Sequence, residues 1–195
     1  MRMAVTLYFI RHGETQWNAE ARYQGQADVP MNDTGRAQAQ RNGEALRPFL
    51  PELAQADFLS SPMARARETM EIVRTALDLQ AGDFRIDDRL MEAHYGFWQG
   101  TLASDLPKVD AEGLAARMRD PYRWRPKGGE SYEDLMARTR SWLEGIERNT
   151  VVVSHGGVSR TLRGHVLGLD VATVPLLEMP QDRVLIFRNG ASEWL

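Results

Sequence analysis

The chain has 195 residues, of which 43% are hydrophobic, enough for one domain with a real core and too apolar for a disordered chain. Its net charge of -3 excludes a global basic field for nucleic acid, and no apolar run approaches the roughly 20 residues that span a bilayer, so neither nucleic acid nor a membrane is an expected partner. The absence of cysteine removes disulfides, thiolate nucleophiles and cysteine-ligated metals together, and with a reducing compartment in view the expected address is cytoplasmic.

The N-terminal "MRMAVTLYFIRHG" pairs a basic residue with a short apolar stretch, as a signal peptide does. No small-residue cleavage site follows Arg11-His12, so 4–10 reads as a strand buried on both faces. Residues 32–50 begin with cap residues and continue as a helix, and 57–61 is a second strand. A helix over 62–79 has Pro62 suited to its first turn and apolar residues at Met63, Ala66, Met70, Val73 and Leu77. A brief strand is expected within 84–90, and 101–129 is the least regular part, a lid-like region with a helical piece interrupted by prolines. A helix over 130–147, a strand over 150–154, a helix over 158–169 and a last strand and turn over 183–190 complete the chain. The Met and Trp residues of 118–143 read as packing. Strands alternate with helices without a repeat or linker, which predicts a single α/β domain over 1–195 with a mostly parallel sheet. No sequence feature encodes an oligomeric state.

In open α/β sheets, ligands bind beyond the carboxyl ends of the strands. The strands at 4–10 and 150–154 deliver "RHG" and "SHGG" to such ends, with glycines that let the backbone approach a ligand. The following helices bring free N–H groups and positive dipole ends to the same crevice. "LSSPMARARET" follows the strand at 57–61, so Arg65, in the first helical turn, can lean over that crevice while Arg67 points elsewhere. Arginine's planar fork suits phosphate. Two arginines, two histidines and helix N-termini at one point favour a phosphoryl group over a carboxylate.

These blocks resemble the histidine phosphatases, the phosphoglycerate mutase-like superfamily. "FIRHGET" with Asn18, "YQGQADVPMNDTGRAQA", "LSSPMARARET", "LMEAHYGFWQG", "GGES" and "VVSHGG" follow the family's order and approximate spacing across most of the chain. The resemblance implies a three-layer α/β/α sandwich and a chemistry that needs no metal or other cofactor. It implies His12 as the nucleophile that becomes a phosphohistidine, with Arg11, Arg65 and His155 gripping the phosphoryl oxygens. Glu92 is implied as the acid that protonates the leaving alkoxide, and Asn18, Gln24 and Gly25 match positions that touch the phosphate or the rest of a small phosphorylated metabolite. One departure is Gln99, where the family often has Glu in "WEG"; it falls outside the four-residue pocket.

Phosphoryl transfer spreads negative charge over equatorial oxygens, so the site must supply a nucleophile, fixed positive charge and a proton. Arg11 and Arg65 should push His12 toward its neutral, nucleophilic form. His155, protonated by the charge of a bound phosphate, would donate to an oxygen, and Glu92 must carry a proton to act as acid. His94 and His165 end no strand and read as ordinary structural groups. Arg117, Arg119, Arg123, Arg125 and Lys127 read first as a solvated surface, with a lid that attracts a polyanion as the functional alternative.

Mutases of this family usually carry a long insertion after the "E-x-HYG" block, and here only 37 positions separate Glu92 from Gly129. That favours a phosphatase over a phosphoglycerate mutase, although "EAHYG" itself is mutase-like. A non-catalytic phospho-ligand-binding module would be expected to lack the nucleophile. No G-x-S-x-G serine elbow and no G-x-x-x-x-G-K-[ST] phosphate loop occurs, and the four histidines are not paired at metal-ligand spacing.

Overall fold

In β1 (Leu7–Arg11), four successive fully buried side chains divide between two cores. Leu7 and Phe9 pack with Leu59, Val152, Leu185 and Phe187 on one face of the sheet. Tyr8 and Ile10 pack with Phe58, Val151, Val153, Val184 and Ile186 on the other. This period-two division is what a continuous apolar run produces in a strand covered on both sides.

The computed structural model describes residues 4–195. After β1 come α1 (Gln16–Ala19), α2 (Asp33–Ala45), α3 (Leu50–Leu53), β2 (Asp57–Ser60), α4 (Ala64–Ala76) and β3 (Arg85–Ile86). They are followed by α5 (Leu106–Val109), α6 (Ala111–Arg119), α7 (Tyr132–Leu143), β4 (Thr150–Ser154), α8 (Gly156–Leu167), β5 (Val184–Arg188) and β6 (Ala191–Trp194). The sheet order is β3-β2-β4-β1-β5-β6, with the first four strands parallel and β5 antiparallel to both neighbours. Helices α7 and α8 cover one face and α4 the other, which gives the α/β/α sandwich.

Several boundaries differ from the sequence reading, each for a local reason. β1 begins at Leu7, because Ala4 and Val5 bend before the chain joins the sheet. Pro62 lies ahead of α4, whose N-cap is Met63, so it precedes the first turn and does not occupy it. α8 begins at Gly156, two residues before the expected start, which makes His155 its N-cap. β6 was not expected. Asn189 and Gly190 both have positive φ, 54° and 81°, and form the tight turn that folds it back on β5. Met118 is 78% exposed and does not pack, unlike Met136 and Trp142.

Candidate active site

The sheet register assembles the site. Arg11 of β1 is the partner of Ser154 of β4, and the His12 N–H extends that ladder to the Ser154 carbonyl at 2.9 Å. Ser60 of β2 is paired with Val153, and the Ser61 N–H reaches the Val153 carbonyl at 3.0 Å. Three parallel strands therefore release His12, His155 and Ser61 side by side at one edge. The two imidazole centroids are 5.1 Å apart, close to the spacing of neighbouring strands.

A cavity of about 140 Å³ opens there, lined by Arg11, His12, Asn18, Gln24, Gly25, Arg65 and Glu92, all expected from sequence. Arg22, Tyr23, Tyr95, Gly156 and Arg160 line it as well. His155 is not in its wall. It is fully buried, with Nδ1 3.3 Å from an Arg65 Nη2 donor and Nε2 2.8 Å from Ser61 Oγ. Arginine only donates, so Nδ1 accepts, and in the neutral ring Nε2 carries the hydrogen toward Ser61.

His12 Nδ1 donates to the Gly13 carbonyl at 2.8 Å, which leaves the Nε2 lone pair free. Burial, then the charges of Arg65 and Arg11, hold the His12 pKa well below the usual imidazole range. Burial, then Arg65, His12 and Arg11, do the same to His155. Both rings are neutral at pH 7.

The two guanidiniums donate to carbonyls and not to carboxylates: Arg11 to Met179 at 2.7 Å, Arg65 to Gly25 at 2.7 Å and Ala27 at 2.8 Å. Burial lowers each of their pKa values to about 10. Arg11 Nε, Arg65 Nε and Gln24 Nε2 are buried donors with no partner. Concentrated positive charge with unmatched donors suits the oxygens of an anion.

Glu92 sits at the N-terminus of α8, where both carboxylate oxygens accept from the Gly157 N–H at 3.1 Å. The Ala93 N–H donates to Oε1 at 2.8 Å. α8 has no side-chain cap from His155, so this acid satisfies its free N–H instead. Gly25 has φ +55°, a conformation that favours glycine, and it turns its carbonyl to Arg65. Gln99 Oε1 accepts the Gln26 N–H at 2.8 Å. An amide serves that bond as well as the family's carboxylate would.

The basic segment does not line the cavity. Arg125 pairs with Asp134 at 2.6 Å, and Arg123 lies 3.7 and 3.8 Å from Asp120 and Glu133. Arg117 alone connects to the site, donating to the Tyr23 hydroxyl and stacking over Tyr23 and Trp98. His94 accepts from the Gly96 N–H, and His165 bonds the Met136 carbonyl. Among the described residues, no group of three or more His, Asp or Glu is placed to hold a metal, and no helix is long and apolar enough to cross a membrane.

Sequence reasoning missed Arg160, although its spacing of four from Gly156 on α8 places it one turn on, along the helix face that Gly156 presents to the cavity. Tyr95 lies inside a quoted block and was passed over.

The family model described as histidine phosphatase superfamily (branch 1) matches residues 7–194. A glucosyl-3-phosphoglycerate phosphatase of Mycolicibacterium vanbaalenii is 38% identical over 186 residues, covering 88% of this chain and 78% of its own. A probable phosphoglycerate mutase GpmB of Salmonella paratyphi C is 30% identical over 194 residues, covering 97% and 87%. Among solved structures, a mycobacterial glucosyl-3-phosphoglycerate phosphatase complexed with VO3 matches with a TM-score of 0.81 and 32% identity, over 98% of this chain and 96% of that one.

Proposed function

The chain belongs to branch 1 of the histidine phosphatase superfamily, and we propose that it is a cytoplasmic, metal-independent phosphomonoesterase of a small phosphorylated metabolite. The observation that carries this reading is the set of unpartnered donors, Arg11 Nε, Arg65 Nε and Gln24 Nε2, on residues that line one cavity with His12.

In this mechanism His12 Nε2 attacks phosphorus as the ester P–O bond breaks, and Glu92 gives its proton to the departing alkoxide. Water then attacks the phosphohistidine, its proton passes to Glu92, and the P–N bond breaks to release phosphate. Arg11 and Arg65 stabilise the equatorial oxygens. His155 orients Arg65 by accepting its N–H at Nδ1, a bond that requires the neutral ring.

The leaving group has room in a wider cavity of about 340 Å³ that shares Arg11, Asn18, Arg22 and Tyr23 with the inner one. Glucosyl-3-phosphoglycerate, named for the relatives at 38% and 32% identity, is the first substrate to test. The GpmB likeness favours a second reading, a phosphoglycerate mutase.

Hydrolysis of p-nitrophenyl phosphate by wild type and its loss in His12→Ala is the expected result. Equal rates in the two proteins would remove the nucleophile from the scheme. Bisphosphate-stimulated conversion of 3-phosphoglycerate to 2-phosphoglycerate would replace the phosphatase reading with the mutase one.

A further inference from the structure

Gln181, on the segment between α8 and β5, makes two donations from one nitrogen: Nε2 to the His12 carbonyl at 3.0 Å and to Asn18 Oδ1 at 3.1 Å. The segment is itself held in place. The Gln181 carbonyl accepts from Asn42 Nδ2 at 3.1 Å, and the Met179 carbonyl accepts from Arg11.

Asn18 Oδ1 also receives the Thr15 N–H at 3.2 Å, so two donors fix it as the acceptor end of the amide. The Asn18 Nδ2 then donates to Gln24 Oε1 at 3.3 Å, and Thr15 Oγ1 donates to the same oxygen at 2.9 Å. A side-chain amide has one accepting and one donating end. With the Gln24 oxygen doubly occupied, what is left on this cavity-lining residue is Nε2, buried and unpartnered. Turning Asn18 over would set donor against donor at Gln181 and acceptor against acceptor at Gln24.

We infer that Gln181 is a positioning residue: it fixes the direction of an amide chain, Gln181 to Asn18 to Gln24, so that Gln24 offers a donor and not an acceptor to a phosphoryl oxygen. The inference rests on the phosphoryl-pocket reading above. It assigns work within the site to a residue 169 positions from His12 that belongs to none of the matching sequence blocks.

Binding of inorganic phosphate, measured by titration calorimetry and so independent of turnover, tests it in wild type, Q24M, Q181M and the double variant. Each single substitution is expected to weaken binding by about three- to tenfold, the range of one hydrogen bond. The double variant should bind no more than about twofold more weakly than Q24M, because both changes remove the same donor. Independent, multiplying losses, or unchanged binding in Q181M, would overturn the relay. If wild type binds phosphate, Arg65→Ala abolishes that binding and Q181M leaves it intact, the pocket reading stands and only the relay fails. Wild type that does not bind phosphate removes both. A second readout needs no Gln181 variant to fold: the Gln24 side-chain amide resonance, assigned by its loss in Q24M, should move when phosphate is added. A stationary resonance overturns the inference.

Discussion

His12 and His155 stand 5.1 Å apart because Arg11 and Ser154 are register partners on adjacent parallel strands. Each histidine is the next residue after its paired neighbour, so a one-residue slip between β1 and β4 would separate them. Burial, and after it the charges of Arg65 and Arg11, hold both imidazole pKa values well below the ordinary value. Below pH 6.5 the unfolded chain therefore binds protons that the folded one refuses, and stability falls as pH drops. The loss approaches about 1.4 kcal/mol per pH unit for each histidine. Thermal melts from pH 7 to pH 5 should show a decline in Tm that is shallower in His12→Gln/His155→Gln. An equal slope in the double variant would place the titrating groups elsewhere.

A second prediction concerns Gly157. A Cβ at this position would overlap Glu92 Oε1, so Gly157→Ala must displace the carboxylate that the proposal makes the general acid. Misplacement by about an ångström costs on the order of 10²-fold in rate. The loss should be large for an alkyl phosphate, whose leaving group needs a proton, and much smaller for p-nitrophenyl phosphate. Equal losses with both substrates would count against Glu92 as the acid.

Much of this arrangement is legible in the sequence because the physics that makes it is local. A continuous apolar run ending in Arg11-His12-Gly13 specifies both a buried strand and where its ligand-facing end lies. Arg65 is readable from its place in the first turn of α4. What escaped depends on contacts distant along the chain. Arg11 is tied to Met179 across 168 positions and Asn18 to Gln181 across 163, and no periodicity announces such pairs. β6 is a different kind of miss, since Asn189-Gly190 is itself a hairpin signal. The basic segment was readable in outline: its first reading as a solvated surface agrees with Arg123 and Arg125 lying near acids of α7, although nothing in its composition names those partners.

Gly35 gives a third prediction. It is the third residue of α2 and lies backbone to backbone against Gly13 and Glu14, so a Cβ there would overlap the Glu14 carbonyl. Gly35→Ala should force the loop after His12 outward, destabilise the fold by about 1–3 kcal/mol and weaken phosphate binding. Denaturant unfolding and phosphate titration on the same variant measure both effects. A loss of stability with unaltered phosphate affinity would show that the loop moves without disturbing the nucleophile.

The last prediction separates Arg117 from its basic neighbours. Arg123 and Arg125 form exposed ion pairs or contacts with Asp120, Glu133 and Asp134, and pairs of this kind contribute about 0–1 kcal/mol. Neither side chain reaches the cavity, so Arg123→Ala/Arg125→Ala should leave KM within about twofold, the change expected when no substrate hydrogen bond is lost. Arg117 instead bonds the hydroxyl of Tyr23 and stacks on its ring, and Tyr23 lines both the inner and the wider cavity. Arg117→Ala should release that wall and raise KM by about three- to tenfold, the range of one ordinary hydrogen bond, because Arg117 acts on substrate only through Tyr23. The comparison is made with the same substrate at two ionic strengths. A lid that works by long-range attraction would lose its advantage at high salt, whereas a wall held by direct contact would not. A salt-sensitive rise in KM for the Arg123/Arg125 variant, with no rise for Arg117→Ala, would restore the lid and dismiss the wall.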